Sequence, residues 1–161
     1  MGRRAMVAKN VMIRLATPDD AFAIASMSRD LIETGLPWTW TPERVTRNIR
    51  NRNISTVVAC DGEEVVGFAI MYFGDEDSHL NLIAVEPVYQ RSGLGQRLID
   101  WCKQSCFVAG IARIDAELRI TNRSARAFYR KCGFRERALM PGYYSGVETA
   151  VTMTLPLRPG V

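Results

Sequence analysis

The sequence predicts an α/β protein with a single mixed, mostly antiparallel sheet of about seven strands, flanked by about four helices. Strand-like and helix-like segments follow one another in the order β-α-α-β-β-β-α-β-α-β-β. An Asp61-Gly62 pair between two β-branched runs indicates a hairpin, and later helical segments separate strands as crossovers do. The 161 residues, 47% apolar and 24% charged, suit one domain over 1–161, with a loose N-terminal arm at 1–10.

The first half of the chain predicts one strand, two helices and the hairpin. Residues 11–15 form the strand, and residues 17–20 (T-P-D-D) then begin the first helix. They offer a capping threonine, a proline suited to the first turn, and acidic groups that favour the helix dipole. The second helix begins at residues 41–43, and the hairpin strands cover residues 55–60 and 64–73.

The second half predicts four strands and two helices. Residues 111–120 alternate apolar and charged side chains, as a strand with one buried face does. Residues 122–132 repeat apolar side chains every three to four positions, and Gly133 suits the C-terminal cap. The other predicted elements are strands at 79–85, 134–140 and 148–155, a helix at 94–107, and a last loop at 141–146.

Composition limits the classes of function. The net charge of +4 is mild, and no apolar run approaches the ~20 residues of a membrane helix, so we expect no membrane partner. The four cysteines form no CxxC pair and there is a single histidine, so we expect no metal. No disulfide framework and no export signal is recognisable, which predicts a cytoplasmic protein.

The most informative stretch joins the strand at 79–85 to the helix at 94–107. It reads Q-R-S-G-L-G over residues 90–95, with two glycines where the helix begins. The first backbone N–H groups of a helix lack internal partners, and the dipole favours an anion there. Glycine removes the Cβ that would hold a phosphate away, and Arg91 adds charge. The stretch therefore predicts a phosphate-bearing ligand; the alternative is a plain glycine-rich start of a helix.

Three motifs in order resemble the GNAT acetyltransferase family. Q-x-x-G-x-G at 90–95 resembles its pyrophosphate loop, and N-x-x-A-x-x-F-Y-x-x-C-G-F at 122–134 resembles its next helix. I-R-x-A-T-x-x-D at 13–20 is similar to its first strand and helix. The resemblance covers residues 12 to about 155. It implies the GNAT fold and an enzyme that transfers an acetyl group from acetyl-CoA to a primary amine.

The resemblance also implies two catalytic residues. Glu117 lies in E-L-R-I-T-N, which is similar to a run in the RimI-like branch of protein N-terminal acetyltransferases. There Glu117 would be the base for the amine, directly or through water, and Tyr129 the acid for the thiolate, in a ternary complex. The alternatives are a solvent-facing Glu117 paired with Arg119, and a core Tyr129 with a hydrogen-bonded hydroxyl.

The implied acetyl-CoA site uses main-chain and side-chain groups. Backbone at the end of the strand, at Ile83, Ala84 and Val85, would border the pantetheine arm and supply the oxyanion donor. Asn122 would contact the cofactor from the start of its helix. The pyrophosphate would be held by Arg91, Ser92, Gly93, Leu94, Gly95 and Gln96.

The acceptor side is predicted from four aromatic residues. Trp38 and Trp40 lie between the two helices that cover the acceptor groove in the family, and Tyr143 and Tyr144 lie in the opposite loop. The double tyrosine resembles the RimI-like branch, where it helps bind a peptide. The tryptophan segment does not match that branch, and packing of both rings under the lid is the alternative.

Other polar residues have a structural interpretation, alone or beside a functional one. His79 alone is interpreted as a hydrogen-bonded structural histidine. Arg126 and Arg130, one helical turn apart, would reach the ribose phosphate or form a solvated basic face. The arginines at 44–52 would meet an acidic acceptor or nucleic acid, or be solvated. No aromatic-basic interleaving or recognition helix stands out, so we expect no nucleic-acid partner.

Three questions about function stay open from the sequence. The acceptor amine belongs to a small molecule, a protein N-terminus or a lysine. A regulator that binds acyl-CoA without turnover would keep the phosphate loop and leave Glu117 and Tyr129 idle. The family is often dimeric, so a homodimer is possible.

Overall fold

The computed structural model describes residues 10–158, so nearly all of the predicted arm at 1–10 lies outside the described residues. Within that range, seven strands and four α-helices follow the predicted order. The strands are β1 (Val11–Leu15), β2 (Ile54–Asp61), β3 (Glu64–Phe73), β4 (Asp77–Val85), β5 (Arg113–Arg119), β6 (Arg135–Tyr144) and β7 (Glu148–Pro156). The helices are α1 (Ala21–Met27), α2 (Pro42–Arg50), α3 (Leu94–Ala109) and α4 (Arg123–Lys131).

The seven strands form one sheet in the order β1-β2-β3-β4-β5-β7-β6. Neighbours are antiparallel except β4 and β5, which run parallel because α3 crosses over between them. The predicted mixed, mostly antiparallel sheet is therefore confirmed. The Asp61-Gly62 hairpin is also confirmed, since Asp61 pairs with Glu64 where β2 turns into β3.

Helices cover both faces of the sheet, but unequally. On one face α3 and α4 bury an apolar cluster that draws on β1 to β5 and on β7, with Leu98 and Ile114 fully buried. On the other face α1 and α2 bury a second cluster with residues of β2, β3 and β4, centred on Phe68. Among the described residues this second cluster contains none from β5, β6 or β7. The α1/α2 layer thus leaves the polar face of those three strands open.

The strands β4 and β5 separate part of the way along their length. Their pairing ends at Leu80 with Ala116, whereas β4 continues to Val85 and β5 to Arg119. The separation coincides with a bulge in β4, because Ile70 pairs with Leu82 and Met71 with Leu80, which leaves Asn81 as the extra residue. A bulge bends the strand that carries it. A gap therefore opens in the middle of the sheet, beside the beginning of α3.

Two segments differ from the sequence prediction. The first helix is followed by a π-helical turn over Ser28–Ile32, closed by a hydrogen bond from the Glu33 N–H to the Ser28 carbonyl. The Ser28 hydroxyl also donates to the buried Glu33 carboxylate at 3.0 Å, which favours this wider turn. In the last hairpin, β6 runs on to Tyr144 through a register shift after Met140, so the predicted loop at 141–146 is largely strand.

Within residues 10–158, no helix combines the length and the apolar character that crossing a membrane requires.

A buried carboxylate joins β1 to the first helix. Asp20 accepts two hydrogen bonds from the Arg14 guanidinium, at 2.8 and 3.0 Å, and one from the Thr17 N–H at 2.8 Å. The hydrogen bond from Arg14 lowers the pKa of Asp20 most, and burial opposes it. This contact explains the R-x-A-T-x-x-D spacing, since both ends of the motif meet in one ion pair.

Replacing Asp20 with Asn should lower the free energy of unfolding by about 2 kcal/mol at pH 7, because Arg14 and Thr17 lose a charged acceptor. The lowered pKa of Asp20 means that its contribution is present above the ordinary value of 3.8 and is lost as the pH falls through the lowered value. Urea unfolding at pH 7 and pH 3 measures both effects. Asp30→Asn is the matched control, because Asp30 forms an exposed pair with Arg29. Equal losses in both variants would contradict the prediction.

Candidate active site

A histidine and a glutamate on the two parallel strands form the centre of the site. His79 Nε2 contacts Glu117 Oε2, and His79 Nδ1 lies 2.6 Å from Asn81 Oδ1. In the parallel register His79 is opposite Asp115, and Glu117 is the next residue of β5 on the same face. The Glu117 carboxylate raises the pKa of His79, burial opposes it, and Asn81 supports it. The two side chains therefore share a proton site on the open face of the sheet.

The other carboxylates near Glu117 have partners of their own. Arg119 pairs with Glu148 at 3.2 Å, so the alternative in which Arg119 neutralises Glu117 is wrong. Asp115 accepts a hydrogen bond from the Thr154 hydroxyl at 2.6 Å. Glu117 is thus the carboxylate that faces the histidine.

Tyr129 lies on α4 with its side chain buried. Its ring packs edge-on against Phe134 and Phe128, with centroids 5.0 and 5.7 Å apart. Burial raises the pKa of Tyr129 far above its ordinary value, and the nearby Tyr144 and Glu117 raise it further. Within residues 10–158 no hydrogen bond to the Tyr129 hydroxyl is present. The phenol therefore stays protonated at neutral pH.

The two tyrosines of β6 lie close to the same carboxylate. Tyr143 and Tyr144 pack edge-on, with ring centroids 5.0 Å apart. Burial raises the pKa of both, and the charge of Glu117 contributes to each shift. The charge of Glu117 therefore acts on Tyr143, Tyr144 and Tyr129 alike. Beside the pair lies a concave site of about 220 Å³ lined by His79, Asp115, Glu117, Arg137, Thr152, Met153 and Thr154.

The predicted phosphate loop has the backbone that an anion site requires. Gly93 precedes α3 with φ 87° and Arg91 has φ 61°, so the chain turns through two left-handed residues. A Cβ at Gly93 would meet no atom within 4 Å, so the space beside this residue, at the beginning of α3, is open. Gly95 instead packs closely, since a Cβ there would lie 2.9 Å from the Phe128 ring. Gly95 thus lets α3 and α4 approach each other.

Hydrogen bonds on both sides hold this loop in place. The Ser92 hydroxyl donates to the Tyr89 carbonyl, and the Tyr89 hydroxyl donates to Asp61 at 2.5 Å. That contact with Asp61 raises the pKa of Tyr89 to about 12. Gln96 accepts a hydrogen bond from the Cys132 thiol at 3.2 Å, which joins the first turn of α3 to the end of α4. Leu94 is buried, so only its backbone can contact a ligand.

Of the remaining predicted cofactor residues, the three on β4 border the gap between β4 and β5, and Asn122 precedes α4. Ile83, Ala84 and Val85 lie beyond the last parallel pair, where β4 has no strand partner on its β5 side. Asn122 caps α4, because its side-chain oxygen accepts from the Ala125 N–H at 3.1 Å. A gap with backbone on one wall, which ends at an open anion site, fits a long ligand with a pyrophosphate. The residues present therefore fit acetyl-CoA.

The two tryptophans occupy different positions. The indole N–H of Trp38 donates to the Ala25 carbonyl at 3.2 Å, and its ring is partly exposed. Trp40 packs against the α1/α2 cluster, with the Arg44 guanidinium 3.8 Å from its ring centroid. For Trp40 the alternative of packing under the lid matches the structure. Neither indole has a described contact with Glu117.

Buried Glu33 fixes the segment that carries the tryptophans. Its carboxylate accepts hydrogen bonds from the Thr39 N–H at 2.7 Å, the Thr39 hydroxyl at 2.6 Å and the Trp40 N–H at 3.3 Å. The π-helical turn before it contacts β4. The segment between α1 and α2 is thus held at the edge of the open face rather than left as a free loop.

The two arginines of α4 point to an internal partner. Arg126 and Arg130 both donate to Glu136 of β6, at 2.9 and 2.6 Å. This pairing joins α4 to β6. It differs from both predicted roles, which were a contact with the ribose phosphate and a solvated basic face. Among residues 10–158, no three His, Cys, Asp or Glu side chains come together in a way that would hold a metal ion.

The structure shows His79 hydrogen-bonded, as the sequence interpretation has it, but that interpretation did not identify its partners Glu117 and Asn81 and did not single out Arg137. A signal for His79 and Asn81 was present, because these two polar residues alternate with leucines inside a strand that is otherwise apolar. Only the register between β4 and β5 shows that His79 meets Glu117. Arg137 is the extra residue of a register shift in β6, and no sequence pattern places such a bulge.

This fold and site define an acyltransferase, and comparison with known proteins identifies its family. The sequence profile of the acetyltransferase (GNAT) family matches residues 25–134. The chain belongs to the GNAT acetyltransferase family. The predicted fold and the predicted acetyl-CoA-dependent N-acetyltransferase activity are thereby confirmed.

Individual relatives agree with that assignment. The chain is 31% identical over 121 residues to the [ribosomal protein bS18]-alanine N-acetyltransferase of Escherichia coli K12, covering 73% of this chain and 81% of the relative. The crystal structure of the Escherichia coli ribosomal-protein-S18-alanine N-acetyltransferase superposes with a TM-score of 0.79 at 26% identity, covering 94% and 96%. Ard1 from Thermoplasma volcanium superposes with a TM-score of 0.82 at 26% identity, covering 92% and 99%.

Proposed function

We propose that this chain acetylates the N-terminal α-amine of a protein or peptide. The observation that carries the proposal is the open face of β5, β7 and β6, where His79 and Glu117 stand beside an uncovered polar groove. A small acceptor predicts a closed pocket, whereas an extended chain needs an open path. Similarity to alanine N-acetyltransferases supports the same substrate class.

Glu117 and His79 act together as the base. The acceptor arrives largely as an ammonium, because an α-amino group has a pKa near 8. Glu117 accepts one proton from the nitrogen, directly or through water, and its contact with His79 lets the carboxylate and the imidazole share that proton. His79 is a positioning residue in this scheme, since it acts on the acceptor through Glu117.

Transfer then needs no covalent intermediate on the enzyme. The neutral nitrogen forms a bond to the thioester carbonyl carbon, the C–S bond breaks, and the thiolate takes a proton. Tyr129 donates that proton, since its buried phenol is held neutral beside the gap. Backbone N–H groups at Ile83, Ala84 and Val85 stabilise the negative oxygen. The protonated amide nitrogen loses its remaining extra proton to water, Tyr129 regains a proton from water, and Glu117 releases the proton that it accepted, which restores the enzyme.

The loop before α3 holds the pyrophosphate. Backbone N–H groups of Gly93, Leu94, Gly95 and Gln96 lie in the first turn of the helix, where an anion is favoured. Arg91 and the Ser92 hydroxyl flank that turn, and Asn122 borders the site from α4. On the acceptor side, Tyr143 and Tyr144 flank the entering peptide, with Trp38 on the opposite rim and Trp40 supporting it from below.

The proposal is tested with acetyl-CoA and three kinds of acceptor. These are an alanine-initiated peptide with a free N-terminus, the same peptide blocked at the N-terminus but with an internal lysine, and a polyamine. We expect thiol release and a 42-dalton mass gain, about that of one acetyl group, on the free peptide only. Turnover of only the blocked peptide or the polyamine would contradict the proposal. A melting shift with acetyl-CoA but no turnover would instead indicate a regulator.

The site should show a pH dependence set by His79. Glu117 raises the pKa of His79 above the ordinary value of 6.5, so the imidazolium persists to higher pH and activity should rise as it loses its proton. In Glu117→Gln the pKa should return toward 6.5. His79 is the one histidine of the chain, so its NMR titration is unambiguous. An unchanged titration in Glu117→Gln would show that the pair is not coupled in solution.

We also propose that the enzyme works in the cytoplasm. All four cysteines are free thiols and buried. Free thiols are typical of proteins in a reducing compartment.

A further inference from the structure

We propose that an arginine-lined extension of the acceptor groove binds acidic side chains at about the third to fifth residue of the acceptor. This inference rests on the proposed N-terminal acetylation. A second concave site, of about 420 Å³, adjoins the His79–Glu117 groove and shares Arg137 and Thr154 with it. It is lined by Arg113, Arg135, Glu136, Arg137 and Thr154.

The register places these arginines on the same face as the catalytic pair. Asp115 pairs with Thr154 across β5 and β7, and Thr154 pairs with Arg135 across β7 and β6. The Thr154 hydroxyl contacts Asp115, which confirms that this row of side chains lies on the open face. Arg137 joins it, with one guanidinium nitrogen 3.4 Å from the Thr154 hydroxyl.

The arginines of this extension differ in how closely carboxylates pair with them. Arg113 is paired with Asp77 at 3.3 Å and with Asp115 at 3.1 Å. Arg137 reaches Asp115 only at 4.0 Å, and Arg135 has no ion pair within residues 10–158. The Arg135 guanidinium therefore remains available to a carboxylate ligand, and Arg137 beside it has only this one long ion pair.

The acidic side chain that β6 contributes to this site, Glu136, does not neutralise Arg135 and Arg137. Glu136 already accepts from Arg126 and Arg130 on the α4 side. The face beside Arg135 and Arg137 consequently stays positive, and it complements an acidic peptide rather than a basic one.

Distance along the sheet fixes which acceptor residues reach the arginines. Arg113 is four residues from Glu117 on β5, about 13 Å at about 3.3 Å per residue. Arg135 is two strands away and two residues along, about 12 Å from Glu117 at about 4.8 Å between strands. An extended peptide rises about 3.3 Å per residue, so an acceptor whose amine sits at Glu117 brings residues three to five to the arginines.

The test compares alanine-initiated heptapeptides with three glutamates, three glutamines or three lysines at positions three to five. For the unmodified enzyme, kcat/KM for the glutamate peptide should exceed that for the glutamine peptide about tenfold, mainly through KM. Arg135→Gln, which removes the arginine of this extension that lines only the second concave site, should lose most of that preference and keep its rate on the glutamine peptide. Raising the salt concentration should erode the preference as well.

Arg50→Gln is the matched control, because it removes the same charge from the exposed end of α2. Equal loss of preference in Arg50→Gln would assign the effect to overall charge and overturn the proposal. Equal rates on glutamate and glutamine peptides, or a preference for lysine, would also overturn it. So would inhibition by a single-stranded oligonucleotide that disappears in Arg135→Gln, which would assign the arginines to nucleic acid. Failure to acetylate any peptide would overturn the proposed function itself.

Discussion

Replacing Glu117 with Gln should lower kcat by about 10² to 10⁴, the usual contribution of a general base. The change keeps the size of the side chain and its place in β5, but the amide cannot accept the proton of the acceptor. It also leaves His79 without the carboxylate that stabilises its imidazolium. Steady-state rates at saturating peptide and acetyl-CoA measure the effect.

The interpretation of that loss depends on two controls. Glu64→Gln makes the same chemical change at an exposed position of β3 and should leave kcat unchanged. The melting shift that acetyl-CoA produces should be equal in Glu117→Gln and in the unmodified enzyme, because Glu117 is remote from the phosphate loop in the proposed scheme. A rate within about threefold of the unmodified enzyme would remove Glu117 from the base role.

Replacing Tyr129 with Phe should lower kcat by about 10², the low end for loss of a proton donor, because the thiolate then leaves without a proton. The structure predicts that this substitution removes the hydroxyl and leaves the packing around the ring intact. The hydroxyl has no hydrogen bond within the described residues, so its removal orphans no buried partner, and the ring contacts with Phe128 and Phe134 remain. Single-turnover rates with preformed enzyme and acetyl-CoA measure the chemical step directly.

Two further measurements distinguish a Tyr129 that donates a proton from a Tyr129 that only packs in the core. The free energy of unfolding and the affinity for acetyl-CoA should both stay close to those of the unmodified enzyme in Tyr129→Phe. The His79 titration should also be retained, because the two residues act on different protons. An unchanged single-turnover rate would show that Tyr129 is a core tyrosine only.

Much of the fold followed from the sequence because local signals agreed with it. Alternation in residues 111–120 predicted one face with Ile114, Ala116, Leu118 and Ile120. The first three are buried, whereas Ile120 lies just beyond the end of β5 and is half-buried. The Asp-Gly turn set the first hairpin, and the two glycines of the loop marked the beginning of α3. These are effects of neighbours in the chain, so the sequence carries them directly.

The site was only partly predictable because its contacts are between strands. Glu117 and Tyr129 were predicted as site residues from the family motifs, whereas the contact between His79 and Glu117 joins residues 38 apart in sequence. The bulge at Asn81 and the extended β6 result from pairing with other strands, and no local pattern specifies them. The row of arginines also results from strand pairing, because β7 lies between the strands that carry Arg113 and Arg135.

The short parallel pairing between β4 and β5 makes the sheet two panels joined by a narrow seam. Four residue pairs connect the panel β1-β2-β3-β4 to the panel β5-β7-β6. A ligand lodged in the gap beyond the seam would bridge both panels and take the place of the missing ladder. Binding of the acetyl donor should therefore stabilise the contact between the two parts of the sheet. Slower amide hydrogen exchange at Val85 and Arg119 in the presence of acetyl-CoA would measure that stabilisation.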